Sequence, residues 1–233
     1  MTSMPGAIQA VTPQEEHATM LDGPRWGPKE GRAAQLVVLC HGVGADGHDL
    51  IDLAPWWATA MPQAAFVAPD APFPYDGAPM GRQWFGLWDR TPTQLEAGVD
   101  AAAPLLGAFI DAELARLGLP ADAYALMGFS QGAMTALHTG LRRPVPPRVI
   151  LAFSGALLAP HRLGEAPARP PVLLVHGEVD EVVPPSRSRE AEAALLAAGF
   201  PVESLFCPRL GHGIDEAGLA RGALALQRAF AEK

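Results

Sequence analysis

The sequence predicts an α/β chain with a mainly parallel central sheet flanked by helices on both faces. Three observations carry that expectation. Short apolar runs recur at residues 35–40, 64–68, 123–127, 148–153, 171–175 and 202–207, each closed by Gly, Pro, Asp or His. These runs are continuous rather than alternating, as in strands buried on both faces. Helix-like stretches lie between them, and strands that alternate with helices build parallel sheets.

Taken in order, residues 1–20 show no periodicity and are expected to form a poorly ordered leader. Residues 21–34 are rich in Gly, Pro and charge and are expected to form an edge hairpin. The longest helical stretch is 94–117, where Leu95, Val99, Leu106, Ile110 and Leu114 fall near helical spacing. Pro104 interrupts it and should start a new turn or bend the helix. Residues 131–141, 186–198 and 214–230 are the other helix candidates. Repeats, charge blocks and interdomain linkers are absent, so residues 21–233 read as a single domain.

Composition narrows the function. Apolar residues make up 49% of the 233, enough for one sizeable core. The net charge of −8 argues against a nucleic-acid binder, which needs a basic face, and gives no attraction to anionic membranes. No secretory signal and no membrane-spanning run is visible, so a cytoplasmic protein is the default expectation. Cys40 and Cys207 lie in apolar runs and read as buried free thiols, with no disulfide framework and no zinc site.

In such a sheet, ligands bind beyond the carboxyl ends of the strands, so chemistry is sought just after each apolar run. After the run at 123–127 comes Gly128-Phe129-Ser130-Gln131-Gly132, a G-x-S-x-G at a strand-to-helix junction. That turn holds a serine in a strained conformation with its hydroxyl lifted clear of the sheet. The Gln131 amide, at the helix start, is placed to stabilise an oxyanion. With 24 Gly and six Ser, a shuffled chain would carry roughly 0.06 such matches.

A serine needs a base and an orienting acid, which on this kind of sheet follow it in the order acid, then His. The run at 171–175 ends in His176-Gly-Glu-Val-Asp180-Glu-Val-Val183-Pro184, which offers Glu178, Asp180 and Glu181; Asp180 is favoured. The run at 202–207 leads to Gly211-His212-Gly213, and His212 is the expected base. His41 and His176 also follow strands and read as pocket-floor or turn residues, whereas His17, His48, His138 and His161 have no comparable context. The glycine-rich turn after the first strong strand, at 41–47, offers the Val43 amide as a second oxyanion donor.

That same turn carries a rival reading. Gly42-x-Gly44-x-x-Gly47, with Asp70 after the next strand, matches a dinucleotide fingerprint and so a nicotinamide or flavin oxidoreductase. A pyrophosphate there would face the charges of Asp46 and Asp49 at the helix start, which weighs against it.

The ordered set His41–Gly47, Gly81-Arg-Gln-Trp84-Phe85, Gly128–Ala133, His176–Pro184 and Leu210–Ile214 resembles the phospholipase/carboxylesterase family of α/β-hydrolases, which includes bacterial carboxylesterases and acyl-protein thioesterases. The resemblance implies the α/β-hydrolase fold with no separate cap domain. It implies a Ser130, Asp180, His212 triad, an oxyanion hole at Val43 and Gln131, and a substrate role for the loop around Trp84 and Phe85, with Val183 beside it. Bottom-up, Trp84, Phe85 and Trp88 form an aromatic cluster that could equally pack under a long loop. The expected activity is hydrolysis of short- to medium-chain carboxylic esters, thioesters or lysophospholipids, without metal or organic cofactor. An acyltransferase on the same triad is the related alternative. A small-molecule or lipid ester is the expected partner, and a homodimer is compatible with the composition and favoured by the resemblance.

Overall fold

The computed structural model describes residues 21–231, so the expected leader at 1–20 lies outside the described residues. Its centre is a seven-stranded sheet of β1 (Arg25–Trp26), β2 (Gln35–Cys40), β3 (Ala64–Val67), β6 (Tyr124–Phe129), β7 (Ile150–Phe153), β8 (Val172–Gly177) and β9 (Val202–Cys207). A separate pair, β4 (Phe73–Pro74) and β5 (Arg82–Gln83), forms a small antiparallel ribbon between β3 and the long helix. The main sheet runs in the order β1-β3-β2-β6-β7-β8-β9, and every pairing is parallel except β1 with β3. All six predicted strands are present.

Alternate residues of each central strand face opposite cores. Leu36, Val38 and Cys40 of β2 pack with helices α3 (Pro92–Leu117), α4 (Gln131–Arg142) and α5 (Ser186–Ala197). Val37 and Leu39 face the other way, toward α1 (Gly47–Ile51), α2 (Ala54–Ala58) and α6 (Glu216–Ala231). Both faces are therefore covered, which is why the strands read as unbroken apolar runs. β9 is the edge strand and is correspondingly less buried.

One expectation needed correction. The segment at 21–34 is not a hairpin: only Arg25 and Trp26 form a strand, and they pair with β3. Pro28 carries no N–H to extend a ladder, so the pairing stays short. At Pro104, where the sequence leads one to expect a new turn or a bend, α3 continues as one helix through the proline. The ring sits on an exposed stretch where the carbonyl it leaves unbonded can be hydrated. The short helices α1 and α2 carried too few turns to show a period in the sequence.

The strand order places the site. From β2 the chain moves outward to β3, then returns to pair β6 on the other side of β2 and proceeds through β7 and β8 to β9. The switch point between β2 and β6 is where open parallel sheets form their ligand crevice.

The edge segment is held by a buried ion pair. Glu113 of α3, 3% exposed, accepts from Arg25 at 2.7 Å and from Arg116 at 2.8 Å. Burial pushes its carboxyl up, but the two guanidinium groups outweigh that and hold it below the ordinary glutamate value. The stabilisation is therefore present above the unfolded glutamate's titration and disappears as pH falls through the lowered folded value. Glu113→Ala is expected to cost about 1–3 kcal/mol in urea unfolding at neutral pH, with the deficit shrinking toward acid.

Candidate active site

Ser130 lies between β6 and α4 with φ 55 and ψ −119, a conformation rarely adopted by a residue with a side chain. The two motif glycines make this turn feasible. A Cβ on Gly128 would stand 2.2 Å from the carbonyl oxygen of Gly132, and one on Gly132 would stand 2.0 Å from that of Cys40. Strand β6, helix α4 and the end of β2 thus meet at backbone-to-backbone contact. The Ser130 N–H donates to Phe153 O at 2.9 Å, which ties the turn to β7.

The loop after β2 closes against this turn. A Cβ on Gly42 would lie 3.4 Å from Ser130 Cβ, so Val43 is one residue from contact with the serine. Gln131 is the first residue of α4, where a backbone N–H has no partner within the helix. Both sequence-predicted oxyanion donors therefore belong to segments that converge on Ser130.

Asp180 follows β8 and is 5% exposed. Its Oδ1 accepts from the amides of Val182 and Val183, each at 2.9 Å. Its Oδ2 accepts from His212 Nδ1 at 2.7 Å. Burial pushes the carboxyl up, but the bonds from His212, Val183 and Val182 prevail and hold it below the usual aspartate value. The carboxylate accepts only, so His212 carries its proton on Nδ1, and in the neutral ring Nε2 keeps a free lone pair. The other two acid candidates point elsewhere: Glu178 pairs with Arg189 at 3.4 Å, and Glu181 is exposed.

His212 reaches Asp180 because the loop at 210–211 lies against the end of β8. A Cβ on Gly177 would meet Leu210 O at 2.2 Å and Gly211 O at 2.3 Å. The imidazole ring stacks obliquely on Phe129, with centroids 4.8 Å apart, and Phe129 immediately precedes Ser130. No hydrogen bond joins Ser130 to His212 among the described residues; such contacts are often long before substrate binds.

Trp84 and Phe85 are not exposed to a cleft. At 0% and 2% exposure they belong to the core, and the packing alternative describes their side chains. Their backbone is instead clamped by the Gln131 side chain, whose Oε1 accepts from Trp84 N at 2.9 Å while its Nε2 donates to Phe85 O at 2.7 Å. His41, also fully buried, accepts at Nε2 from Ala71 N, and its carbonyl accepts from Trp84 Nε1. The sequence singled out Gln131 for its amide and His41 for its position, and carried no signal for these side-chain bonds. Val183 does line a cleft of about 190 Å³, with Val182, Pro184, Met134, Leu87 and Leu95.

The dinucleotide fingerprint has other work. Gly47 N–H, at the start of α1, donates to Asp70 Oδ1 at 2.8 Å, and Asp46 Oδ1 accepts from His48 N at 2.9 Å. Carboxylates therefore occupy the amides that a pyrophosphate would need, and the acid expected on a ribose is one of them. Both cysteines are buried and free; burial and the adjacent Asp215 push the Cys207 thiol up to about 11.

Residues 24–224 match the phospholipase/carboxylesterase family. The chain belongs to that family. As a member it is a carboxylic ester hydrolase on the α/β-hydrolase fold. Esterase YpfH of Escherichia coli is 33% identical over 184 residues, 78% of each chain. Acyl-protein thioesterase 1 of Neurospora crassa is 27% identical over 203 residues, 79% of this chain and 82% of that one. The crystal structure of esterase PE8 superposes with a TM-score of 0.86 at 41% identity, covering 91% of this chain and all of the other. Among the described residues, no helix is long and apolar enough to cross a membrane.

The backbone contacts at the turn generate a stability prediction. Gly128→Ala and Gly132→Ala each force a Cβ onto a carbonyl oxygen, and each is expected to cost about 3 kcal/mol or more in chemical denaturation. Gly211→Ala, where a Cβ meets nothing within 4 Å, should leave stability nearly unchanged in the same assay.

Proposed function

We propose that the protein cleaves small carboxylic esters or thioesters by acyl transfer through Ser130, with His212 as general base and acid and Asp180 as its orienting partner. The observation that carries this reading is the strained Ser130 turn beside a buried Asp180–His212 pair, at the carboxyl ends of strands in one sheet. The likeness to a named esterase and a named acyl-protein thioesterase supports both ester and thioester as substrate bonds.

In the first step Ser130 Oγ attacks the carbonyl carbon while His212 Nε2 takes the hydroxyl proton. Asp180 stabilises the imidazolium and holds the tautomer without itself taking a proton. The carbonyl oxygen becomes an oxyanion between the amides of Val43 and Gln131. Collapse expels the alcohol or thiol, which leaves with the proton from His212. Water then repeats the sequence on the acyl-Ser130 ester and releases the acid. These steps use only side chains and amides of this chain.

The cleft at Val183 is the proposed acyl site. Its roughly 190 Å³ is small beside the ~300–1,000 Å³ of ordinary ligand pockets and favours short chains. The lining is apolar apart from Arg90 and Arg187.

Two outcomes are expected. Purified protein should hydrolyse p-nitrophenyl acetate and butyrate faster than the dodecanoate, and a fluorophosphonate should label Ser130 and abolish turnover. Ser130→Ala should fold normally and lower kcat by about four to six orders of magnitude; near-normal rates in that variant would sink the assignment. The second outcome concerns pH. kcat/KM should depend on pH as a histidine base requires, with no separate limb from Asp180, whose lowered carboxyl stays ionised across the range. A flat profile from about pH 5 to 9 would rule out a histidine base.

A further inference from the structure

Asp180 is shared by two imidazoles. His176, the penultimate residue of β8, is 1% exposed, and its Nε2 lies 2.8 Å from Val183 O and 3.2 Å from Asp180 Oδ2. The Val183 carbonyl can only accept, so Nε2 carries a proton and donates to it, with Asp180 Oδ2 beside the same N–H edge at ion-pair distance. On the other side of the ring, Nδ1 is 2.6 Å from the Oγ of buried Ser188 on α5. With Nε2 protonated, Nδ1 of the neutral ring accepts the Ser188 hydroxyl proton. The carbonyl of Gly155 stands 3.4 Å from the same hydroxyl as an alternative acceptor.

We propose that His176 is a positioning residue for the reaction: locked by Ser188, it holds the Asp180 carboxylate and competes with His212 for Oδ2. This rests on the Ser130, His212, Asp180 reading. The competition has a direction. Every donor that Asp180 accepts spreads its negative charge and lessens what it offers to His212. Removing His176 leaves the carboxylate more basic toward His212 and favours the imidazolium. It also frees the carbonyl of Val183, whose amide is one of the two that fix Oδ1.

The groups facing this pair are few. From β8 and its loop comes His176, while Glu178, engaged by Arg189 of α5, and the exposed Glu181 turn away from it. α5 adds the neutral Ser188. The loop after β9 adds Asp215, which accepts from Gly218 N at 2.8 Å and from Cys207 Sγ at 3.5 Å. β6 contributes the apolar ring of Phe129. His176 is thus the charge-capable group that lies within ion-pair distance of Asp180 besides His212.

The test compares pH profiles of kcat/KM for p-nitrophenyl butyrate in wild type, His176→Leu, His176→Gln and Ser188→Ala, with thermal melts as a check on folding. His176→Leu should move the acid limb to higher pH by about half a unit or more, and lower the plateau kcat about tenfold or more. His176→Gln restores an N–H donor at similar reach and should return the limb toward wild type. Ser188→Ala, which loosens the ring without deleting it, should shift the limb in the same direction by less. If folded His176→Leu, or folded Ser188→Ala should the leucine variant not fold, keeps the wild-type limb, the proposal is overturned. Equal shifts for leucine and glutamine overturn it too. If wild-type turnover survives Ser130→Ala, the nucleophile assignment is what has failed, a result read on a different variant.

Discussion

The structure turns on how closely three backbone segments approach around Ser130. β6 must end, α4 must begin and the β2 loop must close within contact of one another, and only residues without a Cβ fit at 128 and 132. The positive φ of Ser130 is the local cost of that junction. The surrounding sheet over-determines it, since β6 is the central strand of seven and its end is tied to β7 through Phe153. Strain of this kind persists where the neighbouring structure leaves no alternative. Here it sets a hydroxyl at the switch point of the sheet, beside two segments that supply backbone amides.

Electrostatics follow the same economy. The chain is acidic overall, yet the carboxylates that matter are buried and fully engaged. Glu113 takes two arginines and anchors the sheet edge, whereas Asp180 takes two amides and the His212 imidazole, with the His176 ring 3.2 Å away and no arginine or lysine paired to it. A carboxylate neutralised by arginine would offer little to a histidine base. One held by amides stays charged while remaining available to stabilise an imidazolium.

Much of this was legible in the sequence. Strand runs at 35–40 and 171–175 appear because burial on both faces leaves no polar position within them. Ser130, Asp180 and His212 stood out because order along the chain and position after a strand restrict the candidates. The long α3 was visible by its period across Pro104, with a new turn or a bend expected there, because a lone proline perturbs a helix by an amount that depends on the exposure of its face. What stayed hidden were interactions between distant segments. Gln131 with Trp84 and Phe85, Arg25 with Glu113, and His176 with Ser188 join residues whose types are ordinary and whose separations carry no period. Trp84 and Phe85 carried two readings for the same reason: aromatic density signals burial and ligand contact equally well.

The side chain of Gln131 couples the loop to the Ser130 turn. One residue supplies both an amide beside Ser130 and the carboxamide that grips residues 84 and 85. The inner backbone of that loop is therefore part of the chassis, while its outer residues are trim. Met80 and Trp88, exposed at 81% and 82%, flank the gripped pair. Such residues can then be replaced, or the loop lengthened at its tip, while the turn beneath keeps its shape.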